Sequence, residues 1–254
     1  LLTFSGEAKG NLIRSVSPDP NNVTVIQHHS FIKLPDSKYK PRKFDPRSGA
    51  ISISYMDYST PIDEPIAKKY IIRHRLEKKN PELEISEAVE PIIYYLDPGT
   101  PEPVKSALLD GGKWWNQAYE SIGFKDAFQV KMLPEDADPL DCRYNVIQWV
   151  HRSTRGWSYG ASVVDPRTGE IIKGHVSLGS LRIRQDYMIA EGLLAPYNEK
   201  DKIPQDMKKI AIMRVKQLVA HEIGHTIGLA HNYVSSSQGR SSVMDYPHPT
   251  LSLN

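Results

Sequence analysis

The sequence has little of what marks several special classes of protein. One cysteine, Cys142, stands among 254 residues, which excludes an internal disulfide and the small disulfide-stabilised secreted domain. The 32 basic and 30 acidic side chains leave a net charge of +2, so we expect no nucleic-acid partner. No apolar run approaches the roughly 18 residues of a membrane span, and we expect no such span in this chain.

Composition and length indicate an ordinary folded protein. Hydrophobic residues make up 39% and charged residues 24% of the chain, values close to those of globular proteins. A length of 254 residues allows one large domain, or one domain with a smaller companion. The chain starts with Leu1 rather than Met, and no charged stretch leads into an apolar one, so we expect a fragment or processed form.

The first 90 residues predict a β-rich accessory segment. Apolar or alternating stretches that are typical of strands lie at residues 23–26, 30–34, 50–55 and 70–76. Prolines are frequent between these stretches, and they favour turns over helices. Because a charged, proline-containing run follows at 78–81, we predict an N-terminal segment over 1–90 and a second domain over 91–254.

The second domain is predicted to mix helices with strands. Apolar residues spaced by three and four predict one helix over 103–122 and another over 206–227. Predicted strands lie at 91–96, 128–132, 145–150, 161–164, 170–172 and 176–178. A turn at 165–169 suits a bulged hairpin between two of them. This order predicts an α+β fold with few helices.

The last predicted helix carries the pattern His-Glu-x-x-His, formed by His221, Glu222 and His225. At about 100° per residue the two histidines lie one turn apart on the same face, so both imidazoles can bind one metal ion. Glu222 stands beside the first histidine, where its carboxylate can accept a proton from an attacking water without binding the metal.

A glycine and a third histidine extend this pattern to HExxHxxGxxH. An uninterrupted helix would carry His231 roughly 9 Å along the axis from His225, away from the metal. The helix must therefore end, and Gly228 can adopt the left-handed conformation that turns the chain back. Three neutral imidazoles with an open fourth position are typical of catalytic zinc (Zn²⁺), although ligand type alone does not exclude copper, nickel or cobalt.

A second motif, Ser-Val-Met-Asp-Tyr, begins at Ser242. Together the two motifs resemble the metzincin metallopeptidases, in which a methionine-containing turn follows the zinc-binding helix. The resemblance implies a twisted mixed sheet with a backing helix and an active-site helix. It implies His221, His225 and His231 as zinc ligands and Glu222 as general base and acid. It also implies that Met244 packs beneath the histidines and that Tyr246 stabilises the oxyanion.

Residues 174–179 resemble the segment before the active-site helix in astacins, an edge strand that binds extended substrate. The resemblance implies substrate contacts at four residues, namely His175, Val176, Ser177 and Leu178. Strand alternation leaves open whether the first of them faces the cleft.

Asn232, after the third histidine, matches none of the residues that mark the astacin, adamalysin, matrix metallopeptidase and serralysin branches. The chain resembles instead large bacterial metzincin-like proteins, whose β-rich N-terminal parts precede such a domain. That resemblance implies a secreted or cell-envelope location. The short stretch after Tyr246 predicts a C-terminally truncated peptidase domain.

These patterns predict a zinc-dependent endopeptidase that acts on a peptide or protein substrate. Two alternatives remain open: an envelope module that binds zinc with little or no catalytic activity, and a zinc hydrolase that acts on something other than peptides. His248 is close enough in sequence to reach the site, but between two prolines we expect it at the surface. The sequence leaves the oligomeric state open.

Overall fold

The protein divides into two compact units, Leu1–Leu34 and Pro35–Asn254. The computed structural model describes residues 1–152, 157–194 and 205–247. The division lies earlier in the chain than the predicted boundary near residue 90, and residues 35–90 are part of the second unit. A functional boundary near residue 90 stays a prediction.

The first unit is small and has little core. Its strands β1 (Leu2–Ser5) and β2 (Asn22–Val25) pair antiparallel, and helix α1 (Asn11–Val16) lies between them in sequence. The strand predicted at 30–34 is wrong. Those residues have no partner strand in the described parts of the chain, and Phe31 is fully exposed.

The second unit begins with a two-stranded antiparallel ribbon. Its strands are β3 (Ser52–Met56) and β4 (Ala67–Ile71). Strand β4 therefore starts and ends earlier than the strand predicted over 70–76. It ends at Ile71 because the chain beyond it forms only isolated bridges. A short strand, β5 (Ser86–Glu87), follows.

A five-stranded sheet forms the centre of this unit. Its strands in chain order are β6 (Ile92–Leu96), β8 (Phe128–Met132), β9 (Asn145–Val150), β10 (Tyr159–Val164) and β11 (Ile171–Gly179). In space their order is β10-β11-β9-β6-β8, and β10 alone runs antiparallel to its neighbour. Outside this sheet, β7 (Phe124–Lys125) pairs with β5.

Three longer helices accompany the sheet, namely α2 (Val104–Glu120), α3 (Leu181–Leu194) and α4 (Gln205–Thr226). Helices α2 and α4 match the two predicted ones within two residues at each end, and the predicted mixed α+β class is confirmed. Helix α3 was not predicted. It buries only Asp186 and Ala190 fully, while Met188 and Ile189 face solvent, so its sequence lacks the apolar stripe that would reveal it.

The strand predicted at the edge of the sheet lies inside it. Residues 174–179 belong to β11, which lies between β10 and β9 and is hydrogen-bonded on both sides. The edge on this side of the sheet is β10 in the described parts of the chain. Local sequence does not reveal this, because the order of strands in a sheet depends on long-range pairing.

The core lies between the sheet and the helices α2 and α4. Its fully buried side chains include Tyr94, Leu96, Leu108, Ile147, Val176, Leu178, Val215, Val219 and Ile223. Each aliphatic side chain of this kind contributes about 1.5–3 kcal/mol when fully buried. The last three lie on α4 before or within the His-Glu-x-x-His pattern, so the core fixes the position of the histidine-bearing face.

The two glycines of α2 allow α4 to approach closely. A Cβ atom added to Gly111 would come closer than 3.0 Å to the backbone of Lys216, and one on Gly112 would crowd Val130. The low helix propensity of glycine suggests an interruption at Gly111-Gly112, but α2 continues through both residues. The pair instead lets the helix pack closely against its neighbours.

None of the helices in the described ranges combines the length and the apolar character that crossing a lipid bilayer requires.

Candidate metal centre

Helix α4 brings the first two histidines of the motif together. His221 and His225 project from successive turns of the same face, with their Nε2 atoms 3.1 Å apart. Their rings stand at 90° to each other, so the two nitrogens point toward one volume rather than stacking. The helix then ends at Thr226, before a third turn carries the chain away.

Gly228 redirects the chain after the helix. Its φ of +103° lies in the region that side chains disfavour, and a Cβ atom there would come closer than 3.0 Å to the carbonyl oxygen of Ile72. The Gly228 carbonyl accepts a hydrogen bond from the Ile51 amide at 2.8 Å. Residues from the ribbon region thus hold this turn from outside, and the turn returns His231 to the other two histidines.

The Nε2 atom of His231 lies 3.2 Å from Nε2 of both His221 and His225. Zinc–nitrogen bonds of about 2.0–2.1 Å in tetrahedral geometry place ligand nitrogens about 3.3 Å apart, so this triangle fits zinc. Among the described residues, these histidines form the one group of His, Cys, Asp and Glu side chains arranged to hold a metal ion.

The outer nitrogen of each imidazole meets an oxygen atom. Nδ1 of His221 donates to the carbonyl of Val243 at 2.7 Å, and Nδ1 of His225 donates to the carbonyl of Leu229 at 2.8 Å. Nδ1 of His231 lies 3.1 Å from the hydroxyl of Tyr233. The two carbonyls can only accept, so they keep the proton on Nδ1 of His221 and His225 and leave the Nε2 lone pairs of these rings for a metal.

Burial keeps the imidazoles in the form that binds metal. It lowers the pKa of both His221 and His231, and their mutual proximity to His225 lowers these pKa values further. Neutral imidazoles are the ligand form that zinc requires.

Glu222 is buried beside the histidines. Burial raises the pKa of its carboxyl group to about 7, while a hydrogen bond from the Gly160 amide and the charge of Arg182 oppose that rise. A carboxyl with a pKa near neutrality is well suited to take and return a proton. Gly160 lies on the edge strand β10, where a side chain would collide with the backbone of α4 at Glu222.

The predicted methionine turn lies directly under the helix. Met244 is 4% exposed, and its Sδ atom occupies the space that a Cβ atom on Gly224 would need. The Met244 carbonyl accepts a hydrogen bond from the Asn232 amide at 2.9 Å, so the turn also binds the chain next to the third histidine. The Asp245 carboxylate holds the turn from the other side, through the Ser235 and Ser236 hydroxyls.

Two tyrosines flank the histidine cluster. The hydroxyl of Tyr246 lies 2.9 Å from Nε2 of His231, so the phenol reaches the volume that the imidazoles enclose. Burial raises the pKa of Tyr246, which keeps the phenol protonated. The sequence analysis did not single out Tyr233. Its position two residues after His231, in a polar loop, could have indicated a contact with that histidine.

A cavity of about 260 Å³ opens beside His221 and Glu222. Arg182 of α3 and Arg214 of α4 line it, together with Trp157 and Ser158 just before β10 and with residues 243 and 245–247. Local sequence patterns do not predict this wall, because it depends on packing between α3 and α4.

The four residues predicted to contact substrate lie on β11, and their contact with substrate stays a prediction. Val176 and Leu178 are fully buried in the core, and Ser177 is 2% exposed, with its hydroxyl bonded to Arg152. His175 is half-buried, and burial lowers its pKa. None of the four lines the cavity. His248 lies outside the described residues.

Comparison with known families agrees with the position of the centre. Residues 204–254, which contain the three histidines and Met244, match a family described as Met-zincin. Residues 1–79 match a family described as a domain of unknown function (DUF5117). No curated protein gives a significant match. The C-terminal region of the chain is thus metzincin-like.

Proposed function

We propose that the protein is a zinc-dependent endopeptidase. The observation that carries this proposal is the convergence of three Nε2 atoms within 3.1–3.2 Å of one another, beside the buried Glu222 carboxyl. Three histidines leave one coordination position open, as catalytic zinc sites do, whereas structural sites carry four protein ligands.

When bound, zinc supplies a Lewis acid that polarises a carbonyl group and lowers the pKa of water. The Glu222 carboxylate takes a proton from the attacking water as the water oxygen bonds to the peptide carbon. Glu222 then gives that proton to the amide nitrogen as the carbon–nitrogen bond breaks. The Tyr246 hydroxyl, which reaches the same volume, donates a hydrogen bond to the oxyanion.

The edge strand β10 supports binding of an extended substrate. Its outer backbone groups face no other strand in the described parts of the chain, and Gly160 sets it against the helix at Glu222. An extended peptide can add to such an edge by main-chain hydrogen bonds. We therefore propose β10, rather than β11, as the strand that holds substrate.

Metal analysis coupled to a peptide screen tests this proposal. The purified chain is loaded with zinc, its zinc content is measured, and a broad peptide library is incubated with the zinc-loaded and the chelator-treated protein. Cleavage by the zinc-loaded form alone supports the endopeptidase. Full zinc occupancy with no cleavage supports the alternative, a zinc-binding module that does not cleave.

A further inference from the structure

The cavity beside Glu222 has the size of a side-chain pocket. Its volume of about 260 Å³ lies below the roughly 300–1,000 Å³ of pockets that enclose small-molecule ligands. It lies between helices α3 and α4 and continues to His221 and Glu222, so a group bound there adjoins the position of the scissile bond.

Two arginines give this cavity its charge. The side chains of Arg182 and Arg214 are 34% and 29% exposed, whereas Asp186 between them is 1% exposed. One Asp186 oxygen accepts from Nε of Arg182 at 3.1 Å, and the other lies 3.9 Å from Nε of Arg214. A single carboxylate therefore stands against two guanidinium groups.

The other acidic groups of the wall have separate roles. Asp245 binds two serine hydroxyls and the backbone of its own turn. Glu222 is the proposed general base.

Arg214 is held in place by neighbouring groups. Its Nη1 donates to the Gln217 side chain and to the Pro247 carbonyl. In the described parts of the chain, Nη2 of Arg214 and both Nη atoms of Arg182 make no hydrogen bond. Partly buried guanidinium groups with unused donors suit a carboxylate, because their planar geometry allows two parallel hydrogen bonds.

We propose that this cavity binds a carboxylate of the substrate next to the scissile bond, and that Arg182 and Arg214 are the residues that select it. This inference rests on the proposed endopeptidase function. The carboxylate belongs either to an aspartate or glutamate side chain or to the C-terminus of the substrate. Both sources present the same carboxylate group to the arginines. Peptides with an amidated or a free C-terminus distinguish the two sources.

The first test compares matched peptides with the zinc-loaded wild type. One decapeptide carries Glu at a position next to the cleaved bond, and its twin carries Gln; both are acetylated and amidated. A third peptide carries Gln and a free C-terminal carboxylate within two residues of the bond.

We expect kcat/KM for a carboxylate-bearing peptide to exceed that of the amidated Gln peptide by about tenfold or more, equivalent to about 1.4 kcal/mol. A preference for the Glu peptide assigns the side chain as the source, and a preference for the free terminus assigns the C-terminus. Equal rates for all three peptides would overturn the carboxylate pocket while leaving the endopeptidase intact.

Variants identify the residues responsible. Arg214→Gln and the double variant Arg182→Gln/Asp186→Asn remove cations, and the double variant leaves no buried carboxylate uncompensated. Arg184→Gln is the matched control, because Arg184 lies on the same helix but is exposed and outside the cavity. We expect the Glu-to-Gln ratio to fall toward one in the first two and to persist in the control. An unchanged Glu-to-Gln ratio in both cavity variants would refute the assignment. If the two arginines served only to join helices α3 and α4, their replacement would leave this ratio unchanged.

A binding measurement separates this inference from the proposed function. If the zinc-loaded wild type cleaves no peptide, the endopeptidase proposal fails. Calorimetry with zinc-loaded Glu222→Gln then still decides the pocket. Binding of the Glu or free-terminus peptide about tenfold or more tighter than the amidated Gln peptide supports it, and equal affinities refute it.

Discussion

Replacement of Gly228 by alanine tests how the third histidine reaches the metal centre. The backbone φ of +103° costs a non-glycine residue about 1–2 kcal/mol. The added Cβ atom would also come closer than 3.0 Å to the Ile72 carbonyl, a backbone atom that cannot rotate away like the end of a side chain. Together these effects lower the free energy of unfolding by about 3 kcal/mol or more.

Gly49→Ala is the matched control for this change. Gly49 also has a positive φ, +64°, but no atom lies within 4 Å of the position that its Cβ would occupy. Its substitution therefore introduces backbone strain alone, at a cost of about 1 kcal/mol. The difference between the two variants isolates the collision with Ile72.

Denaturant unfolding and zinc competition titrations measure the outcome. We expect Gly228→Ala to lose the larger free energy and to bind zinc about tenfold or more weakly, because relief of the collision displaces His231. Gly49→Ala should keep the zinc affinity of the wild type. The reasoning is refuted if Gly228→Ala binds zinc as the wild type does and is no less stable than Gly49→Ala.

Gly224→Ala, at the buried contact with Met244, should lower the melting temperature. Gly192→Ala, where nothing lies near the added Cβ atom on helix α3, should raise the free energy of unfolding by about 0.5–1 kcal/mol and thus raise the melting temperature. Burial lowers the pKa of His74 from 6.5 to about 4, so only the unfolded chain takes up this proton between those values. Between pH 6.5 and 4, urea unfolding should therefore show that the wild type loses about 3 kcal/mol more stability than His74→Phe does. Tyr233→Phe removes the hydroxyl that meets an imidazole of the cluster and should weaken zinc binding by about 10–100-fold in a chelator competition, whatever the activity.

The HExxHxxGxxH motif predicted the local geometry well, because that geometry depends on short-range rules. Helical periodicity places His221 and His225 on one face, and a glycine with positive φ brings back His231. The roles of these residues as metal ligands stay predictions until metal is measured.

The sheet was harder to predict, because tertiary contacts override local patterns. The residues at 173–175 looked like a break between two short strands, yet β11 runs through them. The Lys173 ammonium is accommodated by the carbonyls of Pro139 and Asp141, and Gly174 leaves room for the Tyr94 ring. Neither contact is visible in the sequence around the strand.

The arginine-lined wall of the cavity escaped prediction for a similar reason. Arg182 lies on a helix without an apolar stripe, and it meets Arg214 only because Asp186 packs between the two helices. The peptide substrate and the secreted or cell-envelope location remain predictions from the family resemblance.

The most direct test of the central claim compares peptide hydrolysis by the wild type and Glu222→Gln at equal zinc occupancy. The substitution keeps the shape of the side chain but removes its ability to take a proton. We predict the same zinc content in both proteins and a loss of about 100-fold or more in kcat for the variant. Equal cleavage by the two zinc-loaded proteins would contradict the account.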